Sequence, residues 1–126
     1  MDFTFSADQE ELRKVARSFL EARCPTEVVR RLERDSRGYL PEMWSEMAEM
    51  GWVGLALPDG GGTILDLAVI FEELGRAVSP TPLFSTVALA GLTLADAGHL
   101  PRALPKVERL SVPHWPMSLP TRSPPR

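Results

Sequence analysis

With 126 residues, of which 44% are hydrophobic and 25% are charged, the chain has the composition of one soluble globular domain. Its single cysteine excludes an internal disulfide and fits a reducing compartment, so we expect a cytoplasmic protein. Residues 1–98 carry 9 Lys/Arg against 16 Asp/Glu, and this acidic balance argues against a nucleic-acid partner.

We expect neither a targeting segment nor a membrane span. The first residues lack the apolar run behind a basic start that marks a signal peptide. The most apolar stretch, 83–95, contains hydroxyl residues. It is also shorter than the roughly 20 apolar residues that a bilayer requires.

The composition changes near Gly98. Residues 99–126 hold 7 of the 12 prolines and 5 Lys/Arg, with only one acidic residue. Proline removes the amide donor that helices and central strands need. We therefore predict a compact helical domain over 1–98 and a disordered, Pro/Arg-rich C-terminal tail over 99–126.

The first helix is predicted from Ala7 to Arg23. Ser6 followed by Gln9 is a capping box, the pattern that begins many helices. Apolar residues then recur at helical spacing: Leu12, Val15, Ala16, Phe19 and Leu20. Glu10 and Lys14 stand four positions apart, so we expect them to form an ion pair on the outer side.

Two shorter helices are predicted next. Pro25 suits the first turn of one helix, and Pro41 suits the first turn of the other. Gly51 is a suitable stop for the second of them. The apolar run Trp52–Leu57 has the length of a strand, but the glycines that follow favour a loop.

A fourth helix is predicted after Thr63 and Asp66, which form another capping pair. Its first half is apolar on nearly every side, which indicates burial between other elements. Pro80 and Pro82 end it, and a last helix is predicted from about Leu83 to Ala97. The sequence thus predicts an all-α fold of four to five helices.

Three patterns suggest chemistry, and each has a structural alternative that we favour. The glycine run 60–62 precedes a helix but matches no phosphate-loop motif, which indicates a flexible turn. Adjacent Glu72 and Glu73 point about 100° apart on a helix, so they share no proton-transfer geometry. Glu72 and Arg76 at i, i+4 are instead predicted to form a surface ion pair. Both histidines fall in the tail, which leaves no metal cluster with Cys24.

Methionine and tryptophan are concentrated between positions 43 and 52. The residues are Met43, Trp44, Met47, Met50 and Trp52. They would suit either a ligand pocket or a hydrophobic core. At helical spacing, core packing is the more common role, and we predict that role here.

Four segments in order resemble the FAD-dependent acyl-CoA dehydrogenases. They are "MDFTFSADQEELRKVARSFLE", "PEMWSEMAEMGWVGLALP", "DLAVIFEELGRAVSPTP" after a glycine loop, and "LFSTVALAGLTLADAG". The pair "GWVGLALP" and "VIFEELGRA" is the most specific part. The resemblance runs from Met1 to about Val107 and covers the N-terminal helical domain of that family.

The resemblance implies an enzyme that forms an α,β double bond in an acyl-CoA thioester. In this family a middle β domain and a C-terminal helical bundle hold FAD and supply the catalytic glutamate. Because the resemblance covers neither part, we expect no catalytic or cofactor-binding residue in this chain, no stable FAD binding and no activity alone. The resemblance places Leu83, Phe84 and Val87 at the acyl-chain cavity. Ordinary core contacts are an equally open role for these three residues.

After "ALPKV" the sequence departs from the family and continues as "ERLSVPHWPMSLPTRSPPR". The switch to Pro, Arg and Ser motivates the hypothesis that this segment is read in another frame of a GC-rich gene. An alternative function is a non-catalytic helical interaction subunit that complements another dehydrogenase chain. If the chain is the N-terminal part of a dehydrogenase, the helices that pack on the other domains would leave an apolar patch exposed, so we expect poor solubility or oligomerisation.

Overall fold

The computed structural model describes residues 4–58 and 60–98, and within these ranges the chain is helical with no strand. The α-helices are α1 Ala7–Arg23, α2 Thr26–Leu32, α3 Pro41–Glu49, α4 Ile64–Arg76 and α5 Leu92–Asp96. A π-helical segment, Phe84–Gly91, leads directly into α5. The all-α prediction is therefore confirmed for the described ranges. The predicted tail over 99–126 lies outside the described residues, and the boundary at residue 98 stays a prediction.

Helices α1 and α4 begin side by side, and their capping boxes are joined. Gln9 Oε1 accepts a hydrogen bond from Ser6 N at 3.1 Å, and Gln9 Nε2 donates to Asp66 Oδ1 at 3.1 Å. Asp66 Oδ2 accepts in turn from the backbone N of Thr63 at 2.7 Å. Both predicted capping boxes are confirmed. Each helix start is therefore fixed by its own cap and by its neighbour.

The two helices run parallel, because contacts between them advance along both in the same direction. Side-chain contacts join Gln9 to Asp66, Arg13 to Glu72, Arg17 to Glu73 and Glu21 to Arg76. The predicted ion pair between Glu10 and Lys14 is wrong. Arg13 contacts Glu10 at 3.4 Å and Lys14 contacts Glu11 at 3.7 Å. Positions i and i+3 are as close on a helix as i and i+4, so spacing alone could not choose between them.

Prolines and glycines mark the helix ends in the middle of the chain. Pro41 is the first residue of α3, as predicted, whereas Pro25 is the N-cap of α2 and lies just before its first turn. Gly51 adopts φ +81 after α3, a conformation that glycine allows at little cost. Trp52–Leu57 forms consecutive turns, which confirms the loop. Its large side chains nevertheless turn inward, and Trp52 lies edge-on to Phe19 with ring centroids 5.3 Å apart.

The hydrophobic core lies between α1, α3, α4 and the π-helical segment. Its largest fully buried side chains include Leu20, Met47, Leu67, Ile70 and Leu83. Met43, Trp44, Met47 and Trp52 belong to the core, as predicted. Met50 faces solvent instead, because it follows the last turn of α3 and points away from the core.

The first turn of α4 contradicts the expectation of burial on all sides. Ile64 and Leu65 are 57% and 63% exposed, whereas Leu67 and Ile70 are fully buried. Helix α4 packs on α1 along one side, and no other described element covers the outer side of its first turn. An apolar sequence therefore predicted a buried stripe correctly but could not specify what covers the remaining surface.

The last helix is present where it was predicted, but its first part is π-helical. Leu83, Val87 and Gly91 are buried and recur every four residues, a wider spacing than the 3.6 residues of an α-helical turn. Gly91 permits close packing, because a Cβ there would stand 3.1 Å from Leu57 Cδ2. Helix α5 ends at Asp96, and Gly98 adopts φ +70, a conformation common just after a helix.

Candidate functional site

The three residues proposed for an acyl cavity lie in the first turns of the last helix, with different exposure. Leu83 and Val87 are 0% and 1% exposed and anchor the π-helical segment in the core. Phe84 is 57% exposed, with its ring edge-on to Phe71 at a centroid distance of 5.4 Å. The segment therefore holds two residues inward and presents one aromatic ring outward.

Phe84 stands beside an open groove of about 970 Å³, which we call the corner groove. One wall is formed by α2 and the chain that follows it, and the other by the end of α4 and the turn before the π-helical segment. Its apolar lining includes Leu32, Phe71, Leu74, Val78, Pro80 and Phe84, and its charged lining is Arg30, Glu33, Asp35 and Arg37. Leu83 and Val87 do not line it.

The corner between α4 and the π-helical segment is conformationally unusual. Val78 adopts φ +49, the only non-glycine residue of the described ranges with a positive φ. Val78 N donates to Gly75 O at 3.1 Å and Ser79 N donates to Leu74 O at 2.9 Å, which together form a Schellman helix end. Glycine normally occupies this position, and a β-branched residue there costs about 1–2 kcal/mol. The sequence offered no signal for this strained valine.

Charged side chains between α1 and α4 form a structural network. Glu73 is 1% exposed and accepts from Arg17 Nη2 and Arg76 Nε, each at 2.7 Å. The Arg17 hydrogen bonds lower the pKa of Glu73 to about 2, against the opposing effect of burial. The predicted Glu72–Arg76 pair is wrong, since Glu72 contacts Arg13 at 3.1 Å. A carboxylate bound by two guanidinium groups is a poor proton acceptor, so we assign Glu73 a structural role.

The glycine run does not form an open cradle for phosphate. A Cβ at Gly60 would collide with the carbonyl oxygen of Gly54, and one at Gly62 would stand 2.6 Å from Leu55 Cδ1. The space beside Gly60 and Gly62 is thus filled by their own loop, whereas nothing lies within 4 Å of a Cβ built at Gly61. The small size of Gly60 and Gly62 serves close packing within the loop.

Three further observations concern the described residues. No group of three or more His, Cys, Asp or Glu side chains in residues 4–58 and 60–98 is arranged to hold a metal ion. Cys24 is buried in the core. No helix in the same ranges is long and apolar enough to cross a membrane.

The order of these helices and the match of the whole region to known proteins identify the family. A family model described as "Acyl-CoA dehydrogenase, N-terminal domain" matches residues 6–99. The chain belongs to the acyl-CoA dehydrogenase family. The matched region includes every helix described above, and the resemblance stated from the sequence is confirmed.

Individual relatives share this region of the chain. Acyl-CoA dehydrogenase IpdE2 of Mycolicibacterium smegmatis is 36% identical over 98 residues, which cover 74% of this chain and 31% of the relative. IpdE2 of Mycobacterium tuberculosis is 30% identical over 109 residues, covering 82% of this chain and 32% of the relative. The caffeyl-CoA reductase-Etf complex subunit CarC of Acetobacterium woodii is 31% identical over 100 residues, covering 75% and 26% respectively.

The chain spans about a third of the length of the IpdE2 relatives it matches. No solved structure matches it. The family is thus established from the N-terminal helical domain, and the chemistry of a whole dehydrogenase does not follow from that domain alone.

Proposed function

We propose that this chain supplies the N-terminal helical part of an FAD-dependent acyl-CoA dehydrogenase, which introduces an α,β double bond into an acyl-CoA thioester. Within it, the start of the last helix forms one wall of the acyl cavity. Phe84 contacts the acyl chain, and Leu83 and Val87 hold the wall in place. The observation that carries this proposal is the outward ring of Phe84 between Leu83 and Val87, whose side chains are fully buried.

Binding of the acyl chain requires an apolar wall from the protein. Each methylene removed from water contributes about 0.8 kcal/mol to binding, so a phenyl ring against the acyl chain favours the bound state. A firmly anchored ring also fixes the position of the chain, and with it the position of the α and β carbons. Phe71 supports the ring of Phe84 from one side.

FAD, the hydride acceptor in this family, would be held by other parts of the enzyme. Gly60 and Gly62 pack closely against their own loop, and the Glu73 carboxylate is neutralised by two arginines. We therefore propose that the 126-residue chain alone neither retains FAD nor oxidises acyl-CoA. Stoichiometric flavin in the purified chain, or dye reduction that depends on acyl-CoA, would refute this.

A chimeric enzyme tests the wall directly. Residues 1–98 would replace the matching segment of M. smegmatis IpdE2, and flavin content and acyl-CoA-dependent dye reduction would be compared with unmodified IpdE2 under the same conditions. We expect the chimera to retain FAD. Phe84→Ala should raise KM about tenfold with a smaller effect on kcat, because it removes apolar contact with the bound chain.

Leu94→Ala is the matched control for this experiment. Leu94 is 47% exposed, lies in α5, and is absent from the lining of the corner groove. Its substitution should leave KM unchanged. An unchanged KM for Phe84→Ala, or equal effects of the two substitutions, would contradict the assignment of Phe84.

The alternative is a non-catalytic helical subunit that complements another dehydrogenase chain. Exposed Ile64, Leu65 and Leu89 favour it, because large apolar side chains in solvent commonly mark a surface that another protein covers. The CarC relative is itself named as a subunit of a complex. A neighbouring gene that encodes a dehydrogenase chain without this domain, and co-purification of the two products, would favour this function.

A further inference from the structure

The corner groove contains features that an acyl-CoA wall at Phe84 does not explain. The first is Val78, which is held in a strained backbone conformation with its side chain 69% exposed. Residues in sparsely populated conformations concentrate at binding sites, where the surrounding structure maintains them. Val78 lines the corner groove and also a smaller groove on its other side. The strain therefore presents an apolar side chain at the junction of two grooves.

The second feature is a buried hydroxyl without a partner. Ser79 follows Val78 and lines the corner groove. Its Oγ is buried and has no hydrogen-bond partner among the described residues. Buried polar atoms almost always form hydrogen bonds, so the described residues alone leave this part of the groove wall unsatisfied.

The third feature is a guanidinium group at the same place. Arg30 lies on α2, lines both grooves, and forms no ion pair with the described residues. Glu27 and Glu33, three positions before and after Arg30, are exposed, and neither forms an ion pair with it among the described residues. Asp35 accepts from Arg37 N at 2.8 Å and lies 3.6 Å from Arg37 Nε, while Glu33 is exposed to solvent. Arg30 is thus available to an anion at the rim.

We propose that the corner groove binds an aliphatic carboxylate. The alkyl chain lies along Phe71, Leu74 and Val78, and the carboxylate pairs with Arg30 at the rim. A planar guanidinium is well suited to a carboxylate. This site goes beyond the acyl-CoA function, and its test avoids Phe84, the residue that both surfaces share.

The test uses the full chain and compounds that separate the two parts of the ligand. Octanoate carries both chain and charge, octanol carries the chain alone, and acetate carries the charge alone. Amide NMR titrations of the purified protein should show saturable shifts at Val78 and Ser79 with octanoate. Octanol should bind more weakly, and acetate should produce no saturable shift.

Two substitutions separate the contributions of the protein. Arg30→Gln should weaken octanoate binding at least about fivefold and leave octanol binding unchanged, because it removes only the charge. Val78→Gly should weaken both ligands about fivefold, because it removes apolar contact while allowing the backbone conformation. Leu94→Ala should change neither.

Several results would overturn the proposal. They are the absence of saturable shifts with octanoate, shifts that lie away from the corner groove, or equal affinity in the Arg30→Gln and unmodified proteins. Glycine at position 78 suits the backbone conformation. If the amide spectrum of Val78→Gly stays dispersed, the variant is folded, and a loss of binding reflects the missing side chain. The chimera experiment measures Phe84 independently, so failure of this site leaves the proposed acyl-CoA function standing.

Discussion

Glu73 shows how a charge is accommodated inside this domain. The carboxylate is almost completely buried, yet both of its oxygens receive hydrogen bonds from guanidinium groups of half-exposed side chains. Arg17 belongs to α1 and Arg76 to α4, so the carboxylate joins the two helices. A buried carboxylate is stable only when it is paired in this way.

Glu73→Gln should destabilise the fold by about 2 kcal/mol at pH 7, because the arginines lose their charged partner but can be rehydrated. Since folding lowers the pKa of Glu73 from 4.5 to about 2, its contribution is fully present above pH 4.5 and is lost as the pH falls towards 2. Chemical denaturation at several pH values would measure this. The unfolding free energies of the Glu73→Gln variant and the unmodified protein should converge near pH 2. A difference in unfolding free energy that persists at pH 2 would contradict the prediction.

The control for this prediction is Glu72→Gln. Glu72 is 58% exposed at its side chain and contacts Arg13 alone among the described residues. Its substitution should change stability by less than about 0.5 kcal/mol, as is usual for exposed ion pairs. The sequence did not distinguish the two glutamates, because they are adjacent and their burial depends on where α1 lies.

Val78→Gly should stabilise the domain by about 1 kcal/mol, because glycine adopts the left-handed conformation without the penalty of a Cβ atom. The gain is reduced by the greater freedom of glycine in the unfolded chain. Thermal unfolding should show a midpoint about 4–8 °C higher. A lower midpoint would mean that packing of the Val78 side chain outweighs its strain. Val78→Ala, which keeps a Cβ, is the matched comparison and should not be stabilising.

At the scale of elements, the paired starts of α1 and α4 act as one unit. Sequence patterns located both capping boxes, because each depends on residues only three positions apart. The hydrogen bond between Gln9 and Asp66 joins residues separated by 57 positions, and no local pattern contains that information. The same limit explains why the groove and its strained corner were not predicted.

Removal of the Gln9–Asp66 bond should weaken both helix starts together. Asp66→Ala removes the α4 capping interaction and the bond from Gln9, and should cost about 1–2 kcal/mol. A double-mutant cycle with Gln9→Ala should give a coupling energy of about 0.5–1 kcal/mol in urea denaturation. Additive effects of the two substitutions would show that the caps act separately. Asp8→Ala, in the first turn of α1 but exposed, is the control.

The geometry of the π-helical segment also depends on residues distant in sequence. Its apolar pattern predicted a helix correctly, since α- and π-helical periods are close over two turns. The wider turn depends on tertiary packing, in particular on the approach of Leu57 to Gly91, which the sequence pattern does not contain. As a result, the outward direction of Phe84 could be recognised only from the structure.

At the scale of the whole molecule, the helical domain alone does not account for a dehydrogenase. Family membership rests on residues 6–99, and the IpdE2 relatives are about three times as long as the matched region. The apolar residues exposed on α4 fit a domain that packs against further parts of an enzyme, as the proposed acyl wall would require. The sequence predicted the family and fold class, because both are carried by local motifs and their order.

Photo-crosslinking tests the central claim, that Phe84 faces the acyl group, most directly. The IpdE2 chimera would be irradiated with an acyl-CoA that carries a diazirine at the end of its acyl chain, and the modified peptides would be identified by mass spectrometry. We predict adducts on the peptide that contains residues 83–87, reduced by competition with unmodified acyl-CoA. Competable adducts confined to the IpdE2 portion, with none on that peptide, would contradict the account.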